Sequence, residues 1–343
     1  MKTVYVGMSG GVDSSVAALL LKEQGFLVIG VYMKNWSQSL PGMKCPWAED
    51  LADAKRVAVK LGIDFEVWDF EKAYREKVVD YMLREFKKGC TPNPDVICNQ
   101  EIKFKLFFEK AMKKGADFIA TGHYARTKPG KPCHLLRARD ENKDQTYFLY
   151  RMNEKALAHT IFPIGEMLKP EVKKLAEKKG LHNAYKKESM GVCFVGEVGM
   201  KDFLKEYIKT KPGEIREVES DKVLGYHEGA IFYTIGQRHG LYIAGGTPYY
   251  VVKKDLENNT IYVSKNLNDG HLWTDELKLK DLFLRENSKK ETILVRLRHR
   301  APLVLATFDG KKLHFEQKIK RPASGQSAVF YDDKLCLGGG VIN

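Results

Sequence analysis

The residues with the clearest capacity for chemistry lie at the start of the chain. In MKTVYVGMSGGVDSSVAALLL, Val4 to Val6 reads as a short buried strand, residues 7–11 as a turn and Ser14 to Lys22 as a helix. Strand, glycine turn and helix N-terminus in that order make an anion site. Gly10 and Gly11 permit a tight turn and close backbone approach, while the hydroxyls of Ser9, Ser14 and Ser15 join the helix-end amides in facing phosphate oxygens. A Walker loop would need Lys-Ser/Thr after its last glycine, and a dinucleotide fingerprint would need GxGxxG; neither is present. On glycines and serines alone, an ordinary helix start stays equally open.

Two cysteines form the second chemical group. Cys98 ends the segment Thr91-Pro92-Asn93-Pro94-Asp95-Val96-Ile97-Cys98, which two prolines stiffen. Asn99 is expected to cap a helix running from Ile102 to Met112, so that Cys98 lies beside a helix N-terminus that favours thiolate. Lys103 and Lys105 push the same way. Asp95 opposes the shift but can accept a proton from an attacking thiol. Cys193 lies between Gly191 and Gly196 in a segment that reads as a loop. For each cysteine the competing reading is a small buried hydrophobe. Ninety-five residues separate the two, and spacing alone does not bring them together.

The elements that must position these groups follow a regular plan. Strands are expected at 27–33, 64–70 and 117–120, and helices at 49–61, 74–86 and 102–112. Strands alternating with helices predict an α/β domain with a mostly parallel sheet, whose ligands sit beyond the strand C-termini. Both the Ser9 loop and Thr121-Gly122-His123-Tyr124 follow strands in the required direction. A further helix is expected at 169–179, with Pro170 in its first turn and Gly180 at its end. Beyond about residue 205 the helical pattern gives way to short strands between Gly, Asn and Asp, as in a small β-rich unit and then a barrel or sandwich.

Composition narrows the partners. The 343 residues carry a formal charge of +13, with basic residues interleaved among acids. This is the pattern of a phosphate-contacting face on folded domains. Residues 277–343 hold fourteen Lys/Arg against seven Asp/Glu. No stretch approaches a membrane span and no secretory segment is evident, so a cytoplasmic protein without a membrane partner is expected. Six scattered cysteines without CxxC spacing exclude a disulfide scaffold and give no zinc signal. A reducing compartment is expected.

Ser9-Gly10-Gly11-Val12-Asp13-Ser14-Ser15 resembles the pyrophosphate loop of enzymes that cleave ATP between its α and β phosphates, such as synthetases of NAD, GMP and argininosuccinate, and tRNA thiolases. Further motifs narrow the resemblance. Asn93-Pro94-Asp95-x-x-Cys98-Asn99, Thr121-Gly122-His123-Tyr124-Ala125-Arg126, Lys143-Asp144-Gln145, Ser189-x-Gly191-x-Cys193-Phe194, Tyr233-Thr234-x-Gly236-Gln237-Arg238 and Gly325-Gln326-Ser327-Ala328-Val329-Phe330-Tyr331 stand in the order found in tRNA-specific 2-thiouridylases. The likeness covers nearly the whole chain.

It implies an adenine-nucleotide α-hydrolase-like catalytic domain at 1–205, a β-rich central domain at 206–276 and a C-terminal β-barrel at 277–343, the last two binding tRNA. It implies ATP at Gly7, Ser9, Gly10, Gly11, Asp13, Ser14, Ser15, Met33, Gly122 and His123, with Mg²⁺ on Asp13. A packing role for His123 is the alternative. Catalysis would fall to Cys98, Cys193 and Asp95. Contacts to tRNA would come from Lys103, Lys143, Asp144, Gln145, Gln237, Arg238 and Arg300.

The implied reaction is 2-thiolation of the wobble uridine, U34, in tRNAs for lysine, glutamate and glutamine. The base would be adenylated on O2 and then receive sulfur from a Cys193 persulfide, with Cys98 as partner thiol. A cysteine desulfurase or sulfur-relay protein would load the persulfide, and the enzyme would act as a monomer. An iron–sulfur-dependent thiolase is one rival, distinguished by iron content and visible absorbance. A small-molecule ATP pyrophosphatase is another, and it leaves both cysteines and the basic C-terminal region without a task. A non-enzymatic RNA-binding protein predicts no tRNA-dependent pyrophosphate release.

Overall fold

Alternation within the first strand sets the layers of the N-terminal domain. In Thr3–Gly7 (β1), Val4 and Val6 point to one face of a sheet and Tyr5 to the other, and all three are buried. The computed structural model describes residues 1–39, 46–187, 199–244, 246–285 and 291–343. β1 pairs in parallel with Leu27–Lys34 (β2), which pairs with Asp64–Asp69 (β3); on its other side lie Phe118–Thr121 (β4) and, after the short hairpin Arg126–Lys128 (β5) and His134–Leu136 (β6), Thr160–Ile161 (β7). The order is β3-β2-β1-β4-β7. The chain moves outward from β1 through β2 and β3, then returns to the opposite flank with β4. The crevice where strand order reverses therefore opens at the C-terminal ends of β1 and β4.

Each face of this sheet is covered. Val4 and Val6 pack under Val12–Glu23 (α1), Trp47–Leu61 (α2) and the helix Lys169–Lys178, through Val16, Leu21, Val57 and Val172. Tyr5 faces an aromatic core of Trp68, Tyr74, Phe104 and Phe107. The expected elements are present, with two corrections in the helices. The 74–86 region divides into Glu71–Tyr74, a π-helical turn Arg75–Val79 and Asp80–Lys87. The helix expected from Ile102 starts at Pro94, runs through Cys98, widens to π geometry over Asn99–Phe107 and ends at Lys113. Asn93, not Asn99, is its cap: the Asn93 side-chain oxygen accepts from the Asp95 amide at 3.2 Å. Pro94 suits the first turn, where a missing N–H costs nothing. Asn99 lies inside the helix and donates to the Phe148 carbonyl at 3.2 Å.

The central unit has strands Gly213–Glu217 (β8), Val223–His227 (β9), Tyr250–Asp255 (β10) and Thr260–Ser264 (β11), ordered β10-β11-β8-β9 around Ile215, Val251, Ile261 and Val263. The C-terminal unit comprises Trp273–Leu284 (β12), Thr292–Arg296 (β13), Val304–Phe308 (β14), Lys312–Lys320 (β15), Ser327–Asp332 (β16) and Leu335–Ile342 (β17). β12 pairs with both β15 and β17, closing a six-stranded antiparallel barrel. β12 runs across the expected division at 276/277. Gly338 to Gly340 sit where β17 meets both β12 and β16, and a Cβ there would strike backbone or side-chain atoms of those strands. The β5–β6 hairpin of the N-terminal unit joins this sheet through Leu136 and Leu335.

A buried polar seam ties barrel to catalytic sheet. Asp144 is 1% exposed. Its carboxylate accepts from Arg296 at 2.7 Å and from the Thr146 hydroxyl at 2.9 and 3.0 Å, while its Oδ1 also accepts from the Ala138 amide at 3.1 Å. Thr146 and Tyr331 hydroxyls are 3.1 Å apart, and the Tyr147 hydroxyl donates to the Ser327 carbonyl at 3.0 Å. His299 lies on Phe148 with ring centroids 4.5 Å apart, and burial lowers its pKa to about 4, so it is neutral at pH 7. Replacing Asp144 by Ala strands the Arg296 guanidinium in the seam. Urea unfolding should then show a loss of about 3–5 kcal/mol, whereas Asp144→Leu combined with Arg296→Met should recover much of it.

Candidate active site

The turn after β1 is built to receive an anion. Gly10 has φ +78° and no room for a side chain, because the Asp50 backbone of α2 lies directly against it. Gly11 caps α1 with no side-chain hydrogen bond to its first amides, which leaves those donors for a ligand. The Ser9 and Ser14 hydroxyls are 3.3 Å apart, and those of Ser14 and Ser15 donate back to the Gly11 carbonyl at 3.1 and 2.9 Å. Below the turn, a Cβ on Gly7 would stand 2.8 Å from the Met33 methyl, so Met33 lines the floor beside the strand end.

The loop after β4 closes the other side. A Cβ on Gly122 would lie 2.5 Å from the Ser14 nitrogen and 2.6 Å from the Asp13 carbonyl carbon. Only glycine lets this loop touch the head of α1. His123 is buried; its Nδ1 is 2.8 Å from the Thr121 hydroxyl and its Nε2 is 3.5 Å from the Lys103 ammonium. Since an ammonium only donates, Nε2 accepts and Nδ1 carries the proton. Burial, helped by Lys103, holds this imidazole neutral, well below the usual histidine range. Gln145 clasps the same loop: its side-chain oxygen accepts from the Tyr124 amide at 2.8 Å, and its amide donates to the Tyr124 carbonyl at 2.9 Å.

Asp13 is held by groups that sequence reasoning missed. Lys169, itself buried, donates to both carboxylate oxygens at 2.7 and 2.8 Å, and the Tyr124 hydroxyl donates at 3.0 Å. Asn183 donates to the Gly10 carbonyl and to the Ser15 hydroxyl, both at 2.9 Å. A lysine at a helix start, where the macrodipole disfavours cations, is the one signal that could have singled out Lys169. Among the described residues, no group of three His, Cys, Asp or Glu side chains could hold a metal. A Mg²⁺ ion there would share the Asp13 carboxylate with Lys169 and take the rest of its shell from phosphates and water.

The thiol helix meets this crevice through its third turn. Lys103, five residues beyond Cys98, touches His123, and Phe104 packs on the His123 ring with centroids 5.8 Å apart. Cys98 is 5% exposed. Asp95, three residues before it, keeps some surface open, yet burial of its carboxyl raises the pKa above the usual carboxylate range against the pull of Lys103. Cys193 and its motif, and Cys45, lie outside the described residues. Cys90, Cys133 and Cys336 are thiols without a disulfide, and burial pushes Cys336 up to about 11.

Three units converge on the residues just before this helix. Thr91 donates its amide to the Ser324 carbonyl at 2.7 Å, accepts from the Gln326 side chain at 2.8 Å and places its hydroxyl 3.0 Å from that of Thr234. Lys254 of β10 donates to the Gly89 and Tyr233 carbonyls at 2.6 and 2.9 Å, and burial lowers its pKa to about 8 against the opposing pull of the Cys90 thiol. Barrel and central unit thus grip the root of the thiol helix. Among the expected RNA contacts, Arg238 and Arg300 are exposed, Lys143 and Gln237 are half-buried, and Lys103 faces the crevice. Asp144 is a correction: its carboxylate is consumed by the seam and does not face solvent.

Comparison with known proteins agrees with this arrangement. Sequence profiles described as tRNA methyl transferase HUP domain, tRNA methyl transferase PRC-barrel domain and aminomethyltransferase beta-barrel domain match residues 2–197, 201–265 and 274–342. The chain is 47% identical to tRNA-specific 2-thiouridylase MnmA of Listeria innocua over 350 residues, covering 99% of this chain and 94% of that protein. It is 47% identical to tRNA-specific 2-thiouridylase MnmA 1 of Geobacillus kaustophilus over 354 residues, with 100% and 95% coverage. With the Bacillus subtilis protein of the same description the identity is 46% over 351 residues, with 99% and 94% coverage. With identity at this level along its full length, the chain belongs to the tRNA-specific 2-thiouridylase family.

Proposed function

We propose that this enzyme uses ATP to adenylate O2 of the wobble uridine, U34, in tRNAs for lysine, glutamate and glutamine, and then replaces that oxygen with sulfur. The observation that carries the reading is the meeting of the glycine–serine turn with the Gly122–Tyr124 loop, on which the Cys98 helix also bears through Lys103. The α1 amides and serine hydroxyls bind the departing pyrophosphate. Asp13 would hold Mg²⁺ together with phosphate oxygens, and the metal would neutralise charge on the leaving group. Met33, Gly122 and His123 line the nucleotide's flank, where the neutral imidazole, engaged by Thr121 and Lys103, adds no charge of its own.

The base must leave the anticodon stack, which single-stranded loops allow at little cost. Its O2 attacks the α-phosphorus and pyrophosphate departs. The terminal sulfur of a Cys193 persulfide, supplied by a cysteine desulfurase or relay protein, bonds to C2 and AMP leaves. Cys98 thiolate then attacks the Cys193 sulfur, the S–S bond breaks toward the base, and 2-thiouridine departs. A Cys98–Cys193 disulfide remains, to be reduced by an external thiol. In a variant of this route Cys98 liberates hydrogen sulfide, which attacks C2. Asp95 takes up the Cys98 proton when ionised. Lys103, Lys143, Gln145, Gln237, Arg238 and Arg300 serve the tRNA, while Asp144 fixes the Lys143–Gln145 segment from below. The division into three units belongs to the same reading, with the last boundary moved ahead of Trp273 so that β12 falls whole in the barrel, as do the monomeric state and a cytoplasmic setting.

The decisive assay supplies unmodified tRNA, labelled ATP and a persulfide donor, then measures nucleosides and AMP. Wild type should form 2-thiouridine, and Cys193→Ser should keep adenylation and lose sulfur insertion. Undiminished 2-thiouridine from Cys193→Ser would refute the thiol assignment. Lys169→Met should weaken ATP binding roughly ten- to hundredfold by freeing Asp13, with Lys169→Arg recovering part, as read by equilibrium binding of a non-hydrolysable ATP analogue. Because Asp95 must be ionised to accept a proton and its pKa is raised, sulfur transfer should fall off on acidification at a higher pH than an exposed aspartate would give. Asp95→Asn should abolish that acid limb and slow transfer by roughly 10²–10⁴ in single-turnover measurements.

A further inference from the structure

Among the described residues, six that are not glycine adopt positive φ: Asp221, Tyr242, Asn259, Asp281, Arg300 and Asp333. Four are Asn or Asp, whose short polar side chains tolerate that backbone. The two bulky exceptions are Tyr242 at φ +51° and Arg300 at φ +63°, and both are exposed. One belongs to the central unit, the other to the barrel. Strain of this kind persists only where the surroundings enforce it. Here it presents an aromatic ring and a guanidinium, the two groups that bind nucleic acid by stacking and by charge.

Tyr242 is 95% exposed, so the strain is not repaid by packing. Its loop is nevertheless rigidly mounted. The next residue inward, Leu241, is 5% exposed, and the Tyr233 hydroxyl donates to the Gly240 carbonyl at 3.3 Å. Gln237 accepts from the Thr234 amide at 3.0 Å and donates to the His239 carbonyl at 2.9 Å. That turn is the one bonded to Thr91 at the root of the thiol helix. Arg238 is exposed four residues before Tyr242, and no Asp or Glu occurs from Gly229 to Lys254; the acid nearest in sequence on that side, Glu228, is paired with Lys201 and Lys205.

We propose that Tyr242 is a stacking platform for an unpaired base of the bound tRNA, with Arg238 on the adjoining phosphate. The inference rests on the tRNA reading above and adds a specific contact to it. An aromatic face accepts any base, and a ring carried on a turn bonded to the root of the thiol helix sets where the RNA lies relative to the crevice.

The test measures binding of fluorescently labelled, unmodified tRNA across a salt series. Tyr242→Ala should weaken binding roughly five- to hundredfold, while Tyr242→Phe and Tyr242→Trp bind as wild type. Tyr242→Gly, which suits the left-handed backbone, should lose as much affinity as Ala, separating stacking from any folding defect. The salt slope should be unchanged, because no phosphate contact is removed, whereas Arg238→Gln should reduce it. Wild-type affinity in both Tyr242→Ala and Tyr242→Gly would overturn the inference and leave the tRNA reading intact. So would normal tRNA binding with slowed persulfide loading, which would assign the ring to a protein donor. Failure of the wild type itself to bind tRNA would overturn the reading on which the inference stands.

Discussion

The constraint on which the site depends is the contact between Gly122 and the head of α1. With 2.5 Å between a hypothetical Cβ and the Ser14 nitrogen, the loops following β1 and β4 form one continuous wall. Everything chemical is referred to that wall. The pyrophosphate turn lies on one side, His123 and the Lys103–Phe104 turn of the thiol helix on the other. Both sides border one crevice, which parallel-sheet topology places at the strand-order reversal.

The C-terminal units act on this crevice from behind. The Asp144–Arg296 pair and the Tyr147–Ser327 bond fix the barrel against the sheet, and the Thr91 junction joins barrel and central unit to the residue three positions before Pro94. Buried charge in these places carries a desolvation cost that hydrophobic side chains would avoid. Here Lys254 bonds the central unit to the Gly89 carbonyl just before the thiol helix, and Arg296 bonds the barrel to Asp144.

Much of this was legible from sequence because it depends on local chemistry. Val4 to Val6, the glycine turn and the serines set a strand, a tight turn and a helix start within fifteen residues. The alternation of strands and helices gives the parallel sheet. What escaped depends on distance along the chain. Lys169 lies 156 residues from Asp13, and Asn183 lies 173 from Gly10, so neither partner can be read locally. Asn99 looked like a cap because Asn commonly is one, but Pro94 starts the helix earlier and draws Asn99 into its interior. Asp144 looked like a surface residue between Lys143 and Gln145; only the barrel's Arg296 shows that it turns inward. Closure of the barrel is likewise not local, since it rests on β12 pairing with both β15 and β17.

The central claim is that ATP is spent on the RNA base before sulfur arrives. Its most direct measurement follows ATP labelled in the α-phosphate, with tRNA and no sulfur donor. The account predicts transient label on tRNA bearing uridine at the wobble position, none on tRNA bearing cytidine there, and loss of that label as AMP when a persulfide is added. Formation of 2-thiouridine without label ever passing through the tRNA would contradict it.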